Sequence, residues 1–112
     1  MGLIWDRESF HSKFNINQAL ADLASVIKPH LTILDATRAL TSGGPGGPGD
    51  VKKPNMIIAG TDPVAVDSYG VSLVPWYGQN FKGSQVEHLL VAYQRGLGKI
   101  DISELKVLKE RA

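Results

Sequence analysis

The stretch Met56-Ile57-Ile58-Ala59-Gly60-Thr61-Asp62-Pro63-Val64-Ala65-Val66-Asp67 carries an apolar strand straight into a helix. Met56 to Ala59 is apolar at successive positions, so both faces of the strand ask for cover, the pattern of strands in parallel sheets. Asp62-Pro63 then sets an N-cap before a proline at the first helical position, where its missing N–H costs nothing. The helix is expected to reach about Leu73, before Pro75. Ala65, Ser68, Gly70 and Ser72 keep it thin enough to lie close to a sheet, although Gly70 costs about 1 kcal/mol relative to alanine.

Working outward, Leu31 to Ala36 repeats the two-faced apolar pattern and reads as a second strand. Before it, Asn15 caps a helix with Gln18 in the capping-box position, Leu20, Leu23, Ala24 and Ile27 follow at helical spacing, and Pro29 stops it. Gly2 to Trp5 reads as a short strand and Asp6 to Phe14 as a polar connection. On the other side, Ser84 and Glu87 form a capping box for a helix whose apolar face is Val86, Leu89, Leu90 and Tyr93, with Gly96 as its stop. A turn around Asp101 to Glu104 leads to an expected edge strand, Leu105 to Leu108. This order makes residues 1–112 one α/β domain: a short, mostly parallel or mixed sheet flanked by about three helices.

With 43% hydrophobic residues, the chain can bury roughly 65% of its unfolded surface in a modest core. Twelve basic against eleven acidic residues leave a net charge of +1, so no global field draws in nucleic acid or an anionic membrane, and an anion site must be local. The sequence has no cysteine, which removes disulfides, a thiol nucleophile and thiolate-held zinc or iron–sulfur centres, and fits a cytoplasmic protein. No apolar run approaches the ~20 residues of a membrane span, and Met1 to Lys13 lacks the order of a signal peptide. The apolar start at Gly2, without a polar lead-in, reads as the interior of a longer protein.

Residues 37–54 form a connection of about 18 residues without helical or strand periodicity, a length usually functional or disordered in a compact domain. Its centre is Gly43-Gly44-Pro45-Gly46-Gly47-Pro48-Gly49, in which glycines permit close backbone approach and the prolines restrict φ. Residues 44–49 match G-x-G-x-x-G literally, but Lys52-Lys53-Pro54 lead into a strand where a dinucleotide fingerprint needs a helix. Glycine at 43, 46 and 49 also fits a collagen triplet, which two triplets cannot make into a triple helix. Three readings stay open: an anion-binding nest of backbone N–H groups at Gly43, Gly44, Gly46, Gly47 and Gly49 helped by Arg38, Lys52 and Lys53, a plain surface turn, or disorder.

Asp35 ends the first core strand, and Asp62 and Asp67 flank the start of the helix after the second; in α/β sheets that rim is where ligands bind. Carboxylates there would suit Mg²⁺ or Ca²⁺, yet Asp62 is accounted for as an N-cap, Asp67 by the helix dipole, and the two point about 140° apart. No metal is assigned, with Asp62 and Asp67 the nearest candidates. His11, in the polar connection with Arg7, could reach the same rim as an acid or base, against the plainer reading of a loop histidine without a partner. His88 beside the apolar face of the last helix reads as structural, and Trp76, Tyr77 and Phe81 as packing or subunit-contact residues.

Taken together, these motifs resemble the family catalogued as domain of unknown function 362. The matching residues are Met1-Gly2-Leu3 with Phe10-His11, Asp35-Ala36-Thr37-Arg38, Gly44-Pro45 to Gly49, and Ile58-Ala59-Gly60-Thr61-Asp62-Pro63-Val64-Ala65-Val66-Asp67, the most specific segment. The resemblance implies a longer protein with an upstream α/β region and, since many members carry or accompany a ferredoxin-like module, a redox context. The chain would be its C-terminal portion, with its missing N-terminal region as a partner. Any iron–sulfur cluster would lie elsewhere in the full-length protein or on a partner, because this chain has no cysteine. The expected site joins Asp35, Arg38, the Gly43 to Gly49 loop, Asp62, Asp67 and His11 around a small anionic ligand. A non-catalytic interaction or homo-oligomerisation domain is the alternative.

Overall fold

The computed structural model describes residues 4–111. Its elements in chain order are α1 (Arg7–Ser12), α2 (Ile16–Val26), β1 (Thr32–Ala36), β2 (Ala39–Leu40), β3 (Val51–Lys52), β4 (Met56–Gly60), α3 (Pro63–Ser72) and α4 (Glu87–Gln94). Short 3₁₀ turns occupy Gly83–Gln85 and Ile102–Glu104. The α/β class holds, and the helix starts follow their caps. Asn15 Oδ1 accepts the N–H groups of Asn17 and Gln18 at the head of α2, and Asp62 Oδ1 accepts that of Ala65 at the head of α3.

The strands pair differently from the parallel arrangement that the two-faced apolar pattern suggests. β1 runs antiparallel to β4, with Leu34 opposite Ile58 and Asp35 opposite Ile57, and β2 runs antiparallel to β3 inside it. The stretch 37–54 is therefore no structureless loop, because its two ends form a second ladder nested in the first. Between the ladders Thr37 and Arg38 face Lys53, Pro54 and Asn55, a one-residue excess taken up at Asn55, whose φ is 55°. Such an interruption bends the ribbon and re-aims the side chains beside it.

One face of the β1–β4 pair carries Leu34 and Ala36 toward α3. A Cβ on Gly70 would come within 2.5 Å of Leu34 Cδ2, and one on Gly60 within 2.9 Å of Val66 Cγ2, so both glycines let helix and sheet approach. The other face carries Ile33 and Ile57, which are 63% and 62% exposed. The apolar pattern on both sides was real, but the described residues cover only one side. Behind α3, the core gathers Ala21, Val64, Val91 and Ala92, with Leu97 and Ile100 packed on it.

Four local expectations change. Asp6 to Phe14 is not a plain connection: Asp6 accepts the Ser9 N–H and caps α1. The N-cap of α4 is Val86, not Ser84, because Gln85 turns its side chain back to the Lys82 N–H and closes a 3₁₀ turn first. Leu105 to Leu108 is irregular and pairs with no strand among the described residues. Of the expected strand at Gly2 to Trp5, residues 2 and 3 lie outside the described residues, and Ile4 and Trp5 join no strand.

Candidate functional site

Two clefts open on either side of a single pair of side chains. The first, about 380 Å³, lies among the end of β1, the bend before β2, α3 and α4, and is bordered by Asp35, Arg38, Asp67, Trp76 and His88. The second, about 400 Å³, lies among α2, the head of α3 and α4, and is bordered by Lys28, Thr61, Asp67 and His88. Both volumes fall within the range of small-molecule sites. Asp67 is five positions into α3 and His88 stands in the first turn of α4, so the packing of these two helices brings the pair to the shared wall.

Asp67 is open to solvent at the clefts, yet the apolar walls around it desolvate its carboxyl and raise its pKa above the ordinary carboxylate value; the charge of His88 opposes that rise. Asp35 shifts the other way. Its Oδ1 accepts the Thr37 backbone N–H at 2.9 Å, and this bond, the Thr37 hydroxyl and, least, the Arg38 charge outweigh burial and lower its pKa. One cleft thus presents an ionised carboxylate, a guanidinium, an imidazole and a carboxyl that keeps its proton to higher pH.

Of the residues singled out from sequence, Asp35, Arg38 and Asp67 meet on the first cleft. Asp62 is engaged elsewhere: Oδ1 holds the head of α3 and Oδ2 accepts the Lys99 N–H at 2.8 Å, pinning the Gly98–Lys99 segment to it. His11 sits on α1 in edge contact with Phe10 and borders neither cleft.

Gly43, Gly44, Gly46, Gly47 and Gly49 form the tip of the β2–β3 ribbon, also outside both clefts. The tip folds on itself. The Gly47 N–H donates to the Gly43 carbonyl at 2.8 Å, the Asp50 N–H to Ser42 Oγ at 2.8 Å, and the Thr41 N–H to the Asp50 carbonyl at 2.7 Å. A Cβ on Gly49 would strike the Ser42 carbonyl, and one on Gly43 the Pro48 carbonyl, so these two glycines serve chain-to-chain approach. Gly46 has open space around it.

His88, Lys28 and Trp76 enter the site without a signal in the sequence. His88 reads as structural because only the helix pairing aligns it with Asp67, 21 positions earlier in the chain. Trp76 is half-buried and donates Nε1–H to the Val71 carbonyl at 2.9 Å, so it walls the cleft as a fixed packing residue.

The family model for a domain of unknown function, DUF362, matches residues 1–72. The chain belongs to the DUF362 family. The matched part of this DUF362 chain runs through α3 and supplies Asp35, Arg38 and Asp67, while Trp76 and His88 follow it. No curated protein and no solved structure matches the chain. Among the described residues no three His, Cys, Asp or Glu side chains converge as a metal-binding group. The iron–sulfur cluster implied by the resemblance does not fit these residues, since they offer no thiolate. No helix among the described residues is long and apolar enough to cross a membrane.

Proposed function

We propose that this DUF362 chain binds a small anionic ligand in the cleft between β1, α3 and α4. The observation that carries the reading is the meeting of Arg38, Asp67 and His88 on one cleft of small-molecule size. Arg38 has no ion-pair partner among the described residues and offers a planar fork for a carboxylate or phosphate. His88 adds a second donor, and Asp67, in its protonated form, a third; as a carboxylate it would instead accept a proton from the ligand. The Gly43 to Gly49 tip has no ligand contact in this reading, and the close approaches of Gly43 and Gly49 serve the tip's own closure.

Titration with acetate and inorganic phosphate, followed by calorimetry, tests this. Arg38→Ala is expected to weaken binding about tenfold or more, the loss of a charged hydrogen-bonding group. A Gly46→Val, Gly47→Val chain is expected to bind as the wild type does. Binding that survives Arg38→Ala but fails in the loop variant would return the anion site to the Gly/Pro tip.

A second reading, an interaction domain, is supported by the open face of the β1–β4 pair, where Ile33, Ile57 and Leu31 are more than half exposed. Two strands form a marginal sheet by themselves. The upstream α/β region implied by the family resemblance would cover that face in a redox-associated parent protein, any cluster lying outside this chain. Sedimentation of wild type beside Ile33→Lys, Ile57→Lys checks it. Self-association lost in the variant would identify a second copy as the occupant, and a monomeric wild type leaves the upstream region as the one to add in trans.

A further inference from the structure

Asp67, His88 and Leu89 border both clefts, so the two cavities meet along one wall made by α3 and α4. Each cavity has its own cation. Arg38 borders the first and not the second, Lys28 the second and not the first, and neither has an ion-pair partner among the described residues. β1 lies between them in the chain, and its five residues span about 16 Å. Much of the intervening wall is apolar, with Leu89 at the junction and Ala24, Val64 and Ala92 beyond it.

A small ion such as acetate would engage one end of such a groove and leave the other cation without a counter-charge. From this arrangement we infer that the two clefts act as one groove for an extended ligand with an acidic group at each end, Arg38 holding one and Lys28 the other. This rests on the reading of the Arg38 cleft as an anion site and adds the ligand's shape. The apolar walls receive the ligand's middle, and the Asp67–His88 pair stands beside that middle and not beside either anionic end. Asp35 lies at the Arg38 end, but its carboxylate is engaged by the Thr37 N–H. No ion pair joins it to Arg38 among the described residues, which leaves the Arg38 fork for the ligand.

The test is a calorimetric series of straight-chain α,ω-dicarboxylates, from succinate to dodecanedioate, beside monocarboxylates of the same lengths, on the wild-type chain, Lys28→Gln and Arg38→Ala. The expected result is an optimum among the longer dicarboxylates, bound about tenfold tighter than the matching monocarboxylate, the worth of a second charged contact. Lys28→Gln should erase that advantage, bringing each dicarboxylate down to the affinity of its matching monocarboxylate. Mono- and dicarboxylates bound equally, both lost in Arg38→Ala, would overturn the two-ended groove while keeping the anion site. Carboxylate binding that is absent, or indifferent to Arg38→Ala, would overturn both.

Discussion

Asp67 illustrates how a single side chain can work against the fold. Desolvation holds its proton more tightly in the folded chain than in the unfolded one, so wild-type stability falls as pH rises from the unfolded carboxyl value through the folded one. Asp67→Asn is therefore expected to raise Tm at pH 7, with the gain vanishing below about pH 4, where both states are protonated. Thermal melts across that range check it, and a lower Tm at pH 7 would contradict it. Asp62 is the opposite case, satisfied at both oxygens by the Ala65 and Lys99 N–H groups. Asp62→Ala should cost about 2 kcal/mol in urea unfolding, one cap together with one charge-assisted bond. Ser68 is fully buried and its hydroxyl has no partner among the described residues, so Ser68→Ala should be neutral or stabilise by up to about 1 kcal/mol in the same assay. Asp62 was legible in the sequence because capping is local. The pairing of Asp67 with His88 was not, because nothing within either helix encodes which face of the other it meets.

At the scale of elements, α2 and α3 were readable from their caps and stops, since Asn15, Pro29 and Asp62-Pro63 act within a few residues of the backbone they control. The β2–β3 ladder escaped the sequence because two-residue strands are too short to show alternation. The antiparallel pairing of β1 with β4 was not legible for a related reason: an apolar pattern reports which faces want cover, not which way the neighbouring strand runs. The ribbon tip gives a sharp comparison. Gly43→Ala or Gly49→Ala drives a methyl into a facing carbonyl, and Gly43 also has φ +65°, whereas Gly46→Ala meets nothing. Hydrogen exchange at the Thr41 N–H, which donates to the Asp50 carbonyl, should quicken in the first two variants and stay unchanged in the third. Equal exchange in all three would mean that the tip does not depend on its own close approaches.

Across the whole molecule, one side is finished and the other is open. α2, α3 and α4 close around Ala21, Val64, Val91 and Ala92, while the far face of the β1–β4 pair presents Ile33 and Ile57 to solvent. The two clefts lie on the finished side, where α4 meets α3, so a ligand there and a protein partner on the sheet's open face need not compete. The residues around the clefts come from five elements, α2, β1, β2, α3 and α4, and the bend before β2, which is why sequence reading found Asp35, Arg38 and Asp67 as separate motifs and attached them to the conspicuous glycine loop. The most direct test of the site is amide chemical-shift mapping of the isotope-labelled chain during titration with acetate. The expected shifts cluster at Arg38, Asp67 and His88, with the Gly43 to Gly49 amides unmoved; shifts confined to Gly43 to Gly49 would contradict the cleft as the anion site.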